Sequence, residues 1–363
     1  NVKKILFYST SLLLIIFFVV VFDFILSNTM LNSKNCYMYQ KHYYELKKNC
    51  AGKERFKKSF PSINIYTDKL GLRVSKKLIK KDNNKDNIFI LGDSFTYGTG
   101  LKYKNTYVGY IEKKLKEYNI YNFGVSSYSP SVYLYKIHEA LNLGINPKKI
   151  IISLDLSDVL DEAQRWDYDQ IKHQVKTKKS EKNNHFKNDS FKQQNFKVIN
   201  EFAALLNFNL RIFKSRIANT FRENEKTFKV KTSFQANFTY TKLNNLDDRF
   251  WQDKDLEKGV FKIKSVFQKI EDLSVERGFE LYLVIYPWAE TLEFGQEAFN
   301  WSKFGKELCS KKTCTLIDAI PEFENFKSKD VNWVNKLYFV NDVNFNKSGS
   351  KLLSEFIIKN ISN

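Results

Sequence analysis

Histidine is scarce in this sequence, with four residues in 363. Cysteine is equally scarce: four residues in two local pairs, Cys36 with Cys50 and Cys309 with Cys314. Neither pair has the two-residue gap of a zinc knuckle, and no histidine lies close in sequence to either. Those absences exclude a zinc site of that kind. No Arg-rich stripe and no interleaved aromatic motif is present, which argues against nucleic acid as a partner. Lys and Arg outnumber Asp and Glu 59 to 40, for a formal charge of +19. The excess is nearly all Lys, scattered among many Asn, and reads as a compositional bias rather than a binding face. There is no internal repeat, and no metal or cofactor is expected.

What is present begins with a long apolar run, Ile5 to Leu26, broken only by Asp23 near its end. At 1.5 Å per residue it is long enough for a bilayer core of about 30 Å. A cleaved signal peptide is the competing reading, disfavoured by the length and by the lack of a small-x-small site after it. Charge does not orient the span: Lys3 and Lys4 precede it, and Lys34 and Lys41 follow. The cysteines do, because local pairs suit disulfides in an oxidising compartment. The sequence is therefore expected to comprise a cytoplasmic stub and transmembrane anchor (1–26), a stalk and entry segment (27–86) and a large domain (87–363) interrupted by an insert at about 160–260. The protein is expected to be single-pass, with that domain periplasmic or extracellular.

The pattern after Asn87 alternates strands with helices. Apolar runs at 88–91, 120–124, 149–158, 280–287 and 315–320 read as buried parallel strands. Helices are expected at 107–117, 129–144, 196–221, 256–277, 301–308 and 347–359, and a mobile loop at 172–194. Asn64 to Ser75 reads as a hairpin turning at Asp68 to Gly71. The fold class is α/β: three layers with a flavodoxin-like parallel sheet of about five strands.

Ligands of such a sheet bind beyond the carboxyl ends of its strands. Ser94 sits at one, in the segment Leu91-Gly92-Asp93-Ser94. There it can be a nucleophile with a helix N-terminus behind it, or simply the cap of that helix. Asp155, Asp158, Asp161 and Glu162 follow the third strand, as a solvated strand end, a helix-start charge pattern or, less readily, a metal site. Trp288 suits either a sugar face or the core. Arg73 suits either a bridge between the entry segment and the domain or a substrate contact.

LGDSFTYG (91–98) resembles the nucleophile segment of the SGNH, or GDSL, hydrolases. YNFGVSSYSP (121–130) resembles their second segment and FVNDVNFNKSG (339–349) their last, and the likeness also runs through IYPWAETL (285–292). The resemblance covers roughly 63–363. It implies a serine ester hydrolase or O-acyltransferase acting on an envelope or exported glycan. It implies Ser94 as nucleophile, Ser94, Gly124 and Ser157 as the oxyanion hole, and Asp342 as the orienting acid. Two positions depart from the pattern. Ser157 stands where an Asn is usual, and Asn344 stands where the catalytic His is usual. An amide cannot take a proton from a Ser hydroxyl at neutral pH, and removing that base costs about a millionfold in kcat in one protease. His42, His138, His173 and His185 have no motif around them that marks a replacement. The alternative is a catalytically impaired relative, a pseudoenzyme binding a glycan or a membrane-protein partner.

Overall fold

The computed structural model describes residues 2–29, 36–39, 43–56, 60, 62–76, 81–169, 174–177, 206, 253–296, 299–339 and 342–361. The chain divides into two compact units. The first, 1–35 with 52–64 and 181–226, contains the helix α1 (Val2–Thr29). Within α1, Leu6–Ile25 is long and apolar enough to cross a membrane, and its side chains are almost all exposed.

The second unit is 36–51, 65–180 and 227–363. It opens with a short antiparallel hairpin, β1 (Tyr37–Tyr39) and β2 (Tyr44–Leu46). A second antiparallel pairing follows, Tyr66 and Thr67 at the end of β3 (Ile63–Thr67) with β4 (Arg73–Val74). Its turn is tied by Asp68, whose carboxylate accepts the N–H groups of Leu70 and Leu72, and by Gly71 at φ 82°. The alternating core comes next: β5 (Asn87–Leu91), α2 (Ser94–Tyr97), α3 (Tyr107–Lys114), β6 (Asn119–Asn122), α4 (Pro130–Asn142), β7 (Lys149–Leu154) and α5 (Leu156–Gln164). After the hairpin β8 (Trp166–Asp169) and β9 (Gln174–Thr177), the described chain resumes at α6 (Asp253–Arg277). It ends with β10 (Glu280–Ile285), α7 (Ala289–Phe294), α8 (Trp301–Leu308), β11 (Cys314–Asp318), α9 (Ile320–Lys329), α10 (Trp333–Leu337) and α11 (Lys347–Ile361).

Five strands form one all-parallel sheet in the order β11-β10-β7-β5-β6. Ile88 to Leu91 on β5 and Ile150 to Ile152 on β7 are fully buried. That is the pattern of strands covered on both faces. α3 packs with α11, while α5 packs with α6. The chain order 2-1-3-4-5 across the sheet is flavodoxin-like, and its reversal lies between β5 and β7. Ser94 follows β5 and Ser157 follows β7, so both stand at that switch point.

Several boundaries differ from the sequence expectation. The third strand stops at Leu154, not 158, because Asp155 caps α5 and turns the chain. The loop expected at 172–194 contains β9, paired with β8. The helix expected at 196–221 lies outside the described residues, Leu206 apart. The two cysteine pairs are close, with Cα atoms 5.7 Å apart for Cys36–Cys50 and 5.3 Å for Cys309–Cys314, and both are bonded.

Candidate active site

Ser94 is the first residue of α2, and the carboxylate of Asp93 caps the helix by accepting the Phe95 N–H at 2.9 Å. The Ser94 hydroxyl donates to the other oxygen of the same carboxylate at 3.1 Å. Two glycines make this turn possible. A Cβ on Gly92 would strike the Thr96 hydroxyl. A Cβ on Gly124 would strike the Tyr97 backbone nitrogen and lie 2.6 Å from the Thr96 carbonyl carbon. Gly124 thus lets the segment after β6 lie directly against α2. Its own N–H donates to the Asn122 side chain at 2.9 Å.

Ser157 lies in the first turn of α5. Its N–H donates to Asp155 at 2.8 Å, and its hydroxyl lies 2.6 Å from Asp155 and 3.3 Å from Asp93. The three residues expected to receive an oxyanion therefore sit at neighbouring strand ends, but each has a donor turned to a side-chain oxygen of its own segment.

The acidic residues after β7 mark a helix start, as one reading of the sequence had it, but they are buried rather than solvated. Asp155 and Asp158 form a reciprocal capping box on α5 and are buried. Asp158 also accepts the Tyr133 hydroxyl at 2.8 Å, and Asp155 accepts the indole N–H of Trp288 at 3.0 Å. Glu162, fully buried, binds Ser129 and the N–H and hydroxyl of Ser131, fixing the start of α4. Burial raises the pKa of Asp93 and Asp158 well above the carboxylate range, and repulsion from Asp155 adds to both. Asp155 is raised too, again by burial. Among the described residues no group of three or more metal-ligating side chains is arranged to hold a metal ion.

The C-terminal loop reaches the same edge. Asp342 accepts both the backbone N–H of Asn344, at 2.9 Å, and its amide nitrogen, at 2.8 Å. The amide oxygen of Asn344 is buried without a hydrogen-bond partner. The neighbouring Phe345 ring packs on Phe95, the residue after Ser94, with centroids 4.8 Å apart. Tyr286, at the end of β10, touches both rings and places its hydroxyl 3.4 Å from Asp93. An aromatic joint therefore ties the residue after Ser94 to the residue after Asn344, across the 250 positions (345 − 95) that separate Phe95 from Phe345.

Glu290, in α7, lies within the IYPWAETL segment of the resemblance but was given no role there. It is buried, burial raises its pKa, and the Asp342 carboxylate raises it further. One of its oxygens has no hydrogen-bond partner. Its position two residues after Trp288, just beyond β10, was the available signal. Trp288 itself is buried with its indole on Asp155, so it packs in the core rather than presenting a face to a sugar. Arg73 is also structural. Fully buried, it donates to the carbonyls of Tyr97, Gly98 and Leu101 and lies 4.5 Å from the Tyr97 ring centroid. Of the histidines, His138 is half-buried on α4; His42, His173 and His185 lie outside the described residues.

No family model matches the chain. No curated protein matches it either. Solved structures with a similar arrangement include LAE5, an alpha/beta hydrolase from the metagenome of Lake Arreo, Spain. It has TM-score 0.40 and 10% identity, over 76% of this chain and 94% of that one. A catalytic mutant of Axe2, an acetylxylan esterase from Geobacillus stearothermophilus, gives 0.39 and 10%, over 78% and 96%. TesA gives 0.40 and 12%, over 76% and 98%. Likenesses this loose carry no weight for chemistry or substrate.

Proposed function

We propose that the Ser94 site is a serine acyl-ester site of the SGNH type, belonging to an ester hydrolase or O-acyltransferase that acts on an envelope or exported glycan. One observation carries the reading. The Phe95–Phe345 contact seats the Ser94 turn beside the loop where Asp342 receives the Asn344 amide. In this reading the Ser94 hydroxyl attacks the ester carbonyl. The N–H groups of Ser94, Gly124 and Ser157 are the donors offered to the developing oxyanion, those of Gly124 and Ser157 leaving their present acceptors, Asn122 and Asp155. Asp342 orients whatever side chain occupies position 344.

Asn344 favours a second reading, in which the cleft binds an acylated glycan or a membrane partner and turns it over slowly if at all. Its amide nitrogen is held by Asp342 and cannot accept a proton. The two readings separate on one experiment with the full chain in detergent micelles. Hydrolysis of 4-nitrophenyl acetate is compared for the native protein, Asn344→His, and Asn344→His with Ser94→Ala. A histidine placed on Asp342 is expected to raise the rate at least ~10²-fold, the lower range for a positioned general base, and Ser94→Ala is expected to abolish the gain. No hydrolysis by any variant would remove the acyl-ester reading and leave the binding one.

The same proposal places the α/β unit outside the cytoplasm, anchored by α1. Its support is the closeness of both cysteine pairs and the apolar length of α1. Native, unreduced protein should resist alkylation by N-ethylmaleimide at all four cysteines. Ready labelling of all four would place the unit in a reducing compartment.

A further inference from the structure

The Ser94 hydroxyl does have a proton acceptor in the structure, on the neighbouring residue. We infer that Asp93 is the base for Ser94 and that Ser157 links it to Asp155 as a second carboxylate, so that an Asp93–Ser157–Asp155 chain stands in for the histidine that position 344 lacks. The inference rests on the acyl-ester reading above and assigns its proton acceptor.

The geometry is as follows. One oxygen of Asp93 accepts the Phe95 N–H at 2.9 Å and lies 3.4 Å from the Tyr286 hydroxyl. The other faces two hydroxyls, Ser94 at 3.1 Å and Ser157 at 3.3 Å. Ser157 has a single hydroxyl proton and two carboxylates in reach, and Asp155 at 2.6 Å is the nearer. With the Ser157 hydroxyl donating to Asp155, its oxygen is free to accept. An Asp93 that has taken a proton can then donate it to Ser157, so the protonated state is hydrogen-bonded rather than stranded. Among the described residues no Lys or Arg pairs with Asp93, Asp155 or Asp158, the three acids of the cluster. Nearby carboxylates without a cation resist all ionising together, which favours uptake of a proton. Burial and Asp155 both raise the Asp93 pKa, in the direction of a more capable base.

The step balances without an external reactant. The Ser94 O–H bond breaks and its proton passes to Asp93. The Ser94 oxygen bonds to the ester carbon while the carbonyl electron pair moves to oxygen. On collapse the carbon–alkoxy bond breaks, and the leaving oxygen takes the proton back from Asp93. Water repeats the sequence to release the acid. Both departures from the motif, Ser157 and Asn344, then belong to one arrangement. A hydroxyl at 157 can donate and accept in this chain, and position 344 is relieved of acid–base duty.

The test is epistasis in the full chain in detergent, with 4-nitrophenyl acetate as the probe. Native protein, Ser94→Ala, Asp93→Asn, Asn344→His and the double variant Asp93→Asn/Asn344→His are compared. Asn keeps the cap on Phe95 but cannot take the proton. The native protein is expected to hydrolyse the ester, and Asp93→Asn is expected to lower the rate about 10²-fold or more, toward the Ser94→Ala level. The cost of Asp93→Asn should shrink at least about tenfold when residue 344 is His, because a second base then bypasses it. That result also shows that Asp93→Asn leaves the site folded. An equal cost in both backgrounds makes Asp93 structural and overturns the inference. Native activity no higher than Ser94→Ala, with Asn344→His active, overturns it while the acyl-ester reading stands. If Asn344→His is inactive too, that reading falls and the inference falls with it.

Discussion

Asp161 lies buried on α5, paired with the Arg165 guanidinium at 2.9 Å. Burial raises its pKa to about 7, and Arg165 pulls the other way without prevailing. The folded pKa thus lies above the unfolded value of about 4. Stability from this group is fully present below the unfolded pKa and is lost as pH rises through about 7. The buried Asp93, Asp155 and Asp158 shift in the same direction. Urea unfolding of the full chain should show a midpoint that falls as pH rises from about 4 to about 7. Asp161→Asn should flatten that fall by an amount on the order of a few kcal/mol. An unchanged slope in the variant would contradict the assignment. Ser94, Gly124, Asp342 and Asn344 stand out in the sequence as candidates because each lies in a short motif with fixed spacing. The Asp93–Asp155 pair does not, since each alone reads as a helix cap and 62 residues separate them (155 − 93). Only the adjacency of β5 and β7 makes them one cluster.

At the level of elements, the turn that carries Ser94 is held from behind by the entry segment. Arg73 at the start of β4 satisfies three carbonyls at and beyond the C-terminus of α2. Tyr44 and Tyr128 exchange hydrogen bonds between β2 and the loop after β6: Tyr128 donates to the Tyr44 carbonyl and Tyr44 to the Ser126 carbonyl, each at 2.6 Å. Residues 36–51 and the β3–β4 turn are therefore part of the unit that holds the site. Arg73→Met keeps the volume and removes the donors. It should destabilise the chain by at least ~2 kcal/mol, since each buried carbonyl left bare costs about 1–3 kcal/mol. An unfolding midpoint equal to that of the native protein would show that the latch contributes nothing. The strands were readable because β5 and β7 are continuous β-branched and aromatic runs. Their ends were less so, because a strand running into acids looks the same as a strand followed by a capped helix. Asp155 decides the case at 149–158 only through its hydrogen bond to Ser157.

For the whole molecule, the order of the five strands turns local motifs into one site. Segments following β5, β6, β7 and β10, and the loop before α11, meet at one edge of the sheet. The aromatic joint of Phe95, Tyr286 and Phe345 is where the first and last of them touch. The sequence indicated that convergence by the order of its motifs. It did not indicate the joint, whose members look like ordinary core residues. The central claim is that Ser94 is a nucleophile served by this edge, and covalent capture tests it most directly. The full chain, Asn344→His and Ser94→Ala are exposed to a fluorophosphonate, and the adduct is located by peptide mass spectrometry. The account predicts a single adduct on the Ser94 peptide, formed at least ~10²-fold faster in Asn344→His and absent in Ser94→Ala. An Asn344→His protein that stays unmodified, or is modified at another residue, would contradict it.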